Sequence, residues 1–361
     1  MKNNKKLNII IAGGGTGGHL YPGIAVAEIF INENPENKIL FLNTGNNVEK
    51  RILNFYKFNY KKIPSSGFFG KNLVEKIKSI KKILLSVKKA IMEIKNFQTD
   101  AILGVGGYVS VPVLIAAIIK RIPFFIQEQN SVPGIANKIF SFFSVYNFVS
   151  FETTKLGVQK KRFFTGNPVR SKIIPKIKEK SGNEKISVFI TGGSQGASAI
   201  NKTFCRAIDF IEHHDKLEII HQTGKKDLDF VVDTYKKKSI KNDTRAFFDD
   251  IYEIYQKTDI IVARSGASTI SEITCAGIPS ILIPFPFATH NHQFHNAKNL
   301  MEKGAAIIIE EKNLSEKLLA QHINDLIKKP ENLKKMGKRA LSLAKPDAAY
   351  EIYNKIQERM T

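Results

Sequence analysis

Five of the six residues from Gly13 to Gly18 are glycine, and His19 follows at once. They close an apolar, β-branched run that begins at Leu7, and an apolar-periodic segment continues to Glu28. This pattern predicts a strand, a tight loop and a helix. Glycines let a backbone turn sharply and bring its N–H groups close to a ligand, and the positive end of the next helix favours an anion there. His19, at the mouth of the loop, supplies an imidazole that can exchange a proton near neutral pH. A second glycine loop, Gly192-Gly-Ser-Gln-Gly196, comes about half the chain later. Arg264-Ser-Gly-Ala-Ser-Thr269 then puts hydroxyls at a helix start, which is capping and phosphate-binding chemistry. Glu272, one turn further, is placed to accept hydrogen bonds from sugar hydroxyls. Two other groupings promise less. Asp227-Leu-Asp229 has the spacing of a metal site but lies in a Lys-rich, helix-like segment and reads as a solvated face. His290, His292 and His295 cluster with no Cys or carboxylate close in sequence, so zinc is not expected.

The elements that must position these residues alternate strand and helix. Gly13-x-Gly15-x-x-Gly18 has the form of a dinucleotide fingerprint, which also needs an acid after the second strand to hold a ribose hydroxyl. That strand, Lys38 to Asn43, runs into Thr44-Gly45-Asn46 without one, which argues against NAD. Ala101 to Ser110 and Phe124 to Asn130 each read as a strand ending in a glycine-rich or polar loop, where parallel sheets bind ligands. Thr165-Gly-Asn-Pro-Val-Arg170 follows another strand, and Pro168, Pro175 and Gly182 punctuate an irregular connection. The pattern restarts with a strand at Lys185 to Thr191 and further strands near 217–222, 244–248, 259–263 and 280–285. The expected fold is α/β, with two Rossmann-like parallel-sheet domains facing across a cleft. The expected boundaries are 1–168 and 169–345, with a helix over 346–361 packing back on the first domain.

The 361 residues include 55 Lys and Arg against 33 Asp and Glu, a net charge of +22. Such a balance favours nucleic acid, an acidic membrane or phosphorylated substrates. Lys, Asn and Ile are abundant along the whole chain, so charge alone does not choose among them. No basic module interleaved with aromatics appears, and no nucleic-acid partner is expected. Residues 68–91 are the most lysine-rich. There Leu73, Ile77, Ile80, Leu84, Val87 and Ile91 recur at helical spacing among Lys71, Lys76, Lys78, Lys81, Lys82, Lys88 and Lys89. A basic amphipathic helix led by Phe68 and Phe69 can lie on an anionic bilayer, and an ordinary surface helix fits this segment as well. Ile115 to Phe125 is a second hydrophobic-basic stretch. No apolar run approaches the ~20 residues of a membrane span, and no signal peptide is expected. Cys205 and Cys275 offer neither a disulfide framework nor a zinc site, which suits a reducing cytosol.

Taken in order, the motifs resemble one family. They are Gly14-Gly-Thr-Gly-Gly-His19 with Tyr21-Pro-Gly23, Gly106-Gly-Tyr108, Glu128-Gln-Asn130, Gly166-Asn-Pro-Val-Arg170, Gly192 to Gly196, Phe248-Asp-Asp250, and Arg264-Ser-Gly-Ala267 followed by Ser271-Glu272. The family is the UDP-N-acetylglucosamine–N-acetylmuramyl-(pentapeptide) pyrophosphoryl-undecaprenol N-acetylglucosamine transferases of bacterial peptidoglycan synthesis. The resemblance implies a two-domain GT-B glycosyltransferase of family 28, peripheral on the cytoplasmic face of the bacterial inner membrane. It implies transfer of GlcNAc from UDP-GlcNAc to the C4 hydroxyl of MurNAc in undecaprenyl-diphosphate-linked lipid I, with inversion, giving lipid II. Donor contacts implied by the resemblance are Thr16, Gly17, Gly18, Asn130, Arg170, Ser194, Phe248 through its backbone beside the uracil, Ala267, Ser268, Thr269, Ile270, Ser271, Glu272 at the ribose, and Gln293. Gly14, Gly15 and Tyr108 are the implied acceptor contacts, and no metal or other cofactor is implied.

The chain departs from the family in places. Gln127 stands where many members carry His, Val111-Pro112 where they tend to carry Gly-Pro, and His292-Gln293 where they carry a Gln pair. An inverting transfer needs a base for the acceptor hydroxyl and stabilisation of the departing diphosphate. His19 is the candidate base and Glu128 the alternative. Helix amino ends after Ser194 and Ser268, with Arg170, would meet the leaving group. Another UDP-sugar enzyme of this architecture, a lipid glycosyltransferase or a UDP-GlcNAc epimerase, is the alternative reading. An epimerase should lack the basic membrane helix and turn over UDP-GlcNAc without an acceptor.

Overall fold

A computed structural model describes residues 5–15, 17–65, 73–170, 173, 185–212 and 214–360. Thr16, Phe68, Phe69, Lys71, Pro175 and Gly182 lie outside the described residues, as do the side chains of residues 73–81. The chain divides into two compact units, Met1–Arg170 with Lys345–Thr361, and Ser171–Ala344.

The first unit runs β1 (Asn8–Gly13), α1 (Gly17–Glu33), β2 (Lys38–Asn43), α2 (Asn47–Phe55), β3 (Asn59–Lys62), α3 (Leu73–Asn96), β4 (Ala101–Gly106), α4 (Ser110–Lys120), β5 (Phe124–Glu128), α5 (Ile135–Phe140), β6 (Asn147–Val149) and β7 (Arg162–Phe164). Its sheet is parallel throughout, in the order 3-2-1-4-5-6-7. Successive residues of a strand face opposite sides, so β1 serves two cores. Ile9 and Ile11 join Leu20, Ile24 and Phe30 of α1 on one face, while Ile10 and Ala12 join Val113 and Leu114 of α4 on the other. Helix α3 extends past 91 because Ile94 continues its buried face, and the Thr99 N–H and hydroxyl both donate to the Ile94 carbonyl.

The second unit runs β8 (Ile186–Thr191), α6 (Ser198–Ala207), β9 (Leu217–Gln222), α7 (Leu228–Lys237), β10 (Asn242–Arg245), α8 (Ile251–Lys257), β11 (Ile260–Ala263), α9 (Ala267–Ala276), β12 (Ser280–Leu282), α10 (His292–Met301), β13 (Ala306–Ile308), α11 (Glu316–Lys328) and α12 (Pro330–Ser342). Its parallel sheet has the order 10-9-8-11-12-13. The chain then returns to the first unit as α13 (Ala348–Met360). Ile352, Tyr353 and Ile356 of α13 enter the α1 core, with Tyr353 edge-on to Phe30 at 4.8 Å.

Both sheets reverse strand order beside their first strand, between β1 and β4 and between β8 and β11. Open α/β sheets bind ligands at the carboxyl ends of strands at such reversals. The glycine loops after β1 and β8 and the loops after β4 and β11 fall at those points.

Candidate functional site

In the first unit the loops after β1 and β4 meet backbone to backbone. Gly15, Gly106 and Gly107 hold φ of 94°, 90° and 83°, a region that side chains with a Cβ rarely adopt. A Cβ on Gly107 would strike the Gly14 carbonyl, whereas one on Gly15 would enter open space. His19 lies across Gly106, whose Cβ position is 3.0 Å from Nδ1 of the ring. That Nδ1 is 3.1 Å from the Val105 carbonyl and 3.2 Å from Gln129 Oε1. Two acceptors at Nδ1 assign the proton there and leave Nε2 as a lone-pair site.

Glu128 is built differently. Its carboxylate is buried and accepts from the Asn130 N–H and Nδ2, the Gly134 N–H and Asn137 Nδ2 at 2.9–3.3 Å. Two oxygens holding four donors make a clamp that fixes the 130–137 loop. Asn130 is therefore tied to Glu128 on its donor side, and the Thr154 hydroxyl donates to its carbonyl. Tyr108 is 57% exposed beside Gly107. Gly17 opens α1, Gly18 is exposed in its first turn, and the Arg170 guanidinium stacks 4.4 Å from the Tyr21 ring.

Sequence reasoning missed Glu49. This fully buried carboxylate, in the first turn of α2, accepts from the Gly15 N–H at 2.6 Å, the Thr44 hydroxyl at 2.7 Å and the Asn46 N–H at 3.0 Å. The first glycine loop thus already has an anion of its own on the Gly15 N–H. The signal in the sequence is Asn46-x-x-Glu49, a capping box, which marks a helix start but not the tertiary contact.

In the second unit Gly193 has φ of 82° with open space before it, as Gly15 does, and Ser194 next to it is exposed. Gly196 packs tightly on Thr223. Gln222 braces the loop, donating to Thr191 Oγ1 and the Gly193 carbonyl, while its Oε1 accepts the Phe248 N–H at 3.0 Å. Phe248 is itself buried. Helix α9 follows Gly266, which has no side chain to cap it, so its amino end suits an anion. Ala267 to Glu272 form its first two turns. Within them Ile270 is buried and the Ser271 hydroxyl bonds back to the Ala267 carbonyl. Glu272 is 6% exposed, and the Tyr255 hydroxyl donates to its Oε2 at 2.9 Å. Arg264 pairs with Glu311 and donates to the Ile283 and Pro284 carbonyls, so it shapes the 283–285 loop. Gln293 staples the same loop through Oε1 on the Phe285 N–H at 3.0 Å.

One sequence reading is corrected here. Asp227 is buried, not solvated, and accepts from the Ser198 hydroxyl and Asn201 Nδ2 at 2.7 and 2.9 Å, while Asp229 is exposed. Its neighbour His221, pushed down to about 3 by burial, bonds Asn201 and Tyr235 and stays a neutral part of the core. Burial likewise pushes the Cys205 thiol up to about 11. Among the described residues no three His, Cys, Asp or Glu side chains group as a metal site would require.

The chain matches the glycosyltransferase family 28 N-terminal domain over residues 9–146 and the family 28 C-terminal domain over residues 187–352. Over 354 residues it is 39% identical to the UDP-N-acetylglucosamine–N-acetylmuramyl-(pentapeptide) pyrophosphoryl-undecaprenol N-acetylglucosamine transferase of Thermodesulfovibrio yellowstonii, covering 96% of this chain and 97% of that one. Among solved structures, MurG of Acinetobacter baumannii is similar at a TM-score of 0.78 and 27% identity, covering 98% of this chain and 100% of that one. A putative UDP-N-acetylglucosamine 2-epimerase of Listeria monocytogenes gives a TM-score of 0.68 at 13% identity over 98% and 97% of the two chains, a likeness of fold alone.

Proposed function

The chain belongs to the family of UDP-N-acetylglucosamine–N-acetylmuramyl-(pentapeptide) pyrophosphoryl-undecaprenol N-acetylglucosamine transferases, and from that membership we propose its reaction and the residues that perform it. It is a UDP-GlcNAc-dependent N-acetylglucosaminyltransferase of GT-B fold that moves GlcNAc onto the MurNAc C4 hydroxyl of lipid I, forming lipid II. Near full-length identity of 39% to such a transferase carries this conclusion. In the proposed mechanism His19 Nε2 takes the proton of the acceptor hydroxyl as that oxygen attacks the anomeric carbon from the face opposite the UDP. The C–O bond to UDP breaks, and the diphosphate leaves with the electron pair. The amino end of α9, the 193–196 loop and Arg170 stabilise that charge. Glu272 holds the ribose.

The saturated clamp at Glu128 favours His19 as the base. The Gly15 N–H is already given to Glu49, so a diphosphate there would lie against a carboxylate. Acceptor contact is accordingly assigned to Tyr108 and to the open side of Gly15, not to that N–H, while Gly14 is buried against the Glu49 carboxylate and shapes the loop. The reaction as written needs no metal. The test is transfer of labelled GlcNAc to a lipid I analogue in EDTA, with UDP-GalNAc as control. Transfer from UDP-GlcNAc alone is expected. Turnover of UDP-GlcNAc without acceptor, and no transfer by folded protein, would point to an epimerase and overturn the assignment.

We further propose that the chain works peripherally on the cytoplasmic face of an anionic membrane. Among the described residues no helix is long and apolar enough to cross one. Leu84, on the apolar face that helical spacing gives α3, is 64% exposed. It joins Leu85, Ile118, Ile119, Ile139, Phe142 and Phe143 as exposed apolar side chains on and after α3, α4 and α5, which pack in sequence. Exposed Lys82, Lys88, Lys120, Arg121 and Lys138 lie on the same helices or at their ends. An apolar surface with a basic surround suits a headgroup boundary. Replacing Phe142 and Phe143 by Ser together with Lys120→Glu and Arg121→Glu should weaken binding to phosphatidylglycerol vesicles at least about tenfold, at about 1 kcal/mol per basic residue. Transfer to a short-chain, water-soluble acceptor should be unchanged. Vesicle binding equal to wild type would remove this face as the membrane contact.

A further inference from the structure

We propose that Gln129, oriented through Gln127 and Asn167, is a positioning residue that fixes His19 with its proton on Nδ1 and its lone pair on Nε2. The proposal rests on reading His19 as the base.

Three amide side chains lie buried in a row at the carboxyl end of β5 and after β7. Gln127, Gln129 and Asn167 are each no more than 2% exposed. A primary amide can be turned end for end, but here one group settles every direction. The Val105 carbonyl can only accept, so the Gln129 atom 2.7 Å from it is Nε2. Gln129 Oε1 must then face His19 Nδ1, at 3.2 Å, and the ring must donate. Gln129 Nε2 also donates to Gln127 Oε1 at 2.5 Å. That turns Gln127 Nε2 toward Ser150 Oγ at 3.2 Å and Asn167 Oδ1 at 3.0 Å. The Ser150 hydroxyl is spent on the Glu128 carbonyl at 2.8 Å and so accepts from Gln127. The row ends on Asn167 Nδ2, a buried donor with no partner among the described residues. Leaving such a donor unsatisfied is costly, and an apolar trio of the same size would avoid that cost.

What this costly arrangement delivers is a tautomer. Amides do not titrate, so the direction of the bonds holds at every pH at which the protein is folded. The charged groups on the neighbouring elements are committed elsewhere. Glu49 of α2 holds Gly15, Thr44 and Asn46, Glu128 of β5 holds its own loop, and Arg170 stacks on Tyr21. No carboxylate bonds the imidazole among the described residues, so it is backed by neutral acceptors alone.

The experiment uses the full chain labelled with ¹⁵N-histidine, the His19 signal being assigned by its loss in His19→Ala. Long-range ¹H–¹⁵N spectra should show the Nδ1–H tautomer in the wild type and a mixed population in Gln129→Met. Gln129→Met should also lose about 3- to 10-fold in kcat, the worth of one neutral hydrogen bond, with KM for UDP-GlcNAc unchanged. Thermal melting identifies the variants that fold. An Nε2–H tautomer in the wild type, or Gln129→Met with the wild-type tautomer and rate, would overturn the proposal. The spectrum reads the tautomer without the rate, so a His19→Ala enzyme that keeps its kcat would dismiss the base and leave the positioning separately decided.

Discussion

His19→Ala is expected to lower kcat about 10²- to 10⁴-fold and leave KM for UDP-GlcNAc within a small factor. That range is what a positioned general base contributes when it is replaced by solvent. His19 belongs to the first unit, whereas Phe248 and Glu272, assigned to the uracil and the ribose, belong to the second. The substitution should also be mild for the fold, because the ring is half-buried and surrenders one shared hydrogen at Nδ1, worth about 1 kcal/mol. Glu128→Ala should behave in the opposite sense. Two backbone N–H groups and two side-chain amides would lose the carboxylate they share in a buried site, and the melting temperature should fall before any effect on rate can be read. Initial rates at saturating substrates, alongside melting curves, separate the two candidates. A folded His19→Ala with wild-type kcat would remove His19 as the base.

The parts that were legible in the sequence are those with a local signature. β1 and β8 are apolar runs that break into glycine, and a parallel sheet leaves few other readings for such a pattern. Arg264 to Glu272 follows a short apolar strand and opens a helix, so its place at a carboxyl strand end was readable too. What stayed hidden depends on contacts between distant segments. Glu49 lies 34 residues from Gly15, and its capping box satisfies the local pattern without it. Asp227 sits beside exposed Lys225 and Lys226, which give the segment a solvated look, yet its own side chain turns inward to α6. Gln127 in β5 and Gln129 just past its end are two apart, and a strand pattern carried on by one residue would put them on one side without saying that both are buried. Leu84 was legible only in part. Helical spacing identifies an apolar face, but not whether the partner is the protein core or something outside the chain.

The second large effect belongs to Glu272. Glu272→Gln should raise KM for UDP-GlcNAc about 10- to 100-fold with a much smaller change in kcat, because a hydrogen bond to a charged group is worth about 1.5–3 kcal/mol and each 1.4 kcal/mol is a factor of ten. The side chain keeps its shape, and its amide oxygen can still accept from Tyr255, so the loss should not come from unfolding. Tyr255→Phe removes the donor that orients the carboxylate and should give a smaller effect of the same kind, about 3- to 10-fold. Calorimetry with UDP decides what the carboxylate touches. If it holds the ribose, UDP binding should weaken by the same factor as KM, since the ribose is common to both ligands. If UDP binds Glu272→Gln as it binds the wild type while KM for UDP-GlcNAc still rises, the carboxylate reads the transferred sugar and the ribose assignment is wrong. The ribose reading is favoured by position. Glu272 stands about one turn inside α9, set back from the amino end assigned to the diphosphate, and a ribose sits that far from the diphosphate it carries.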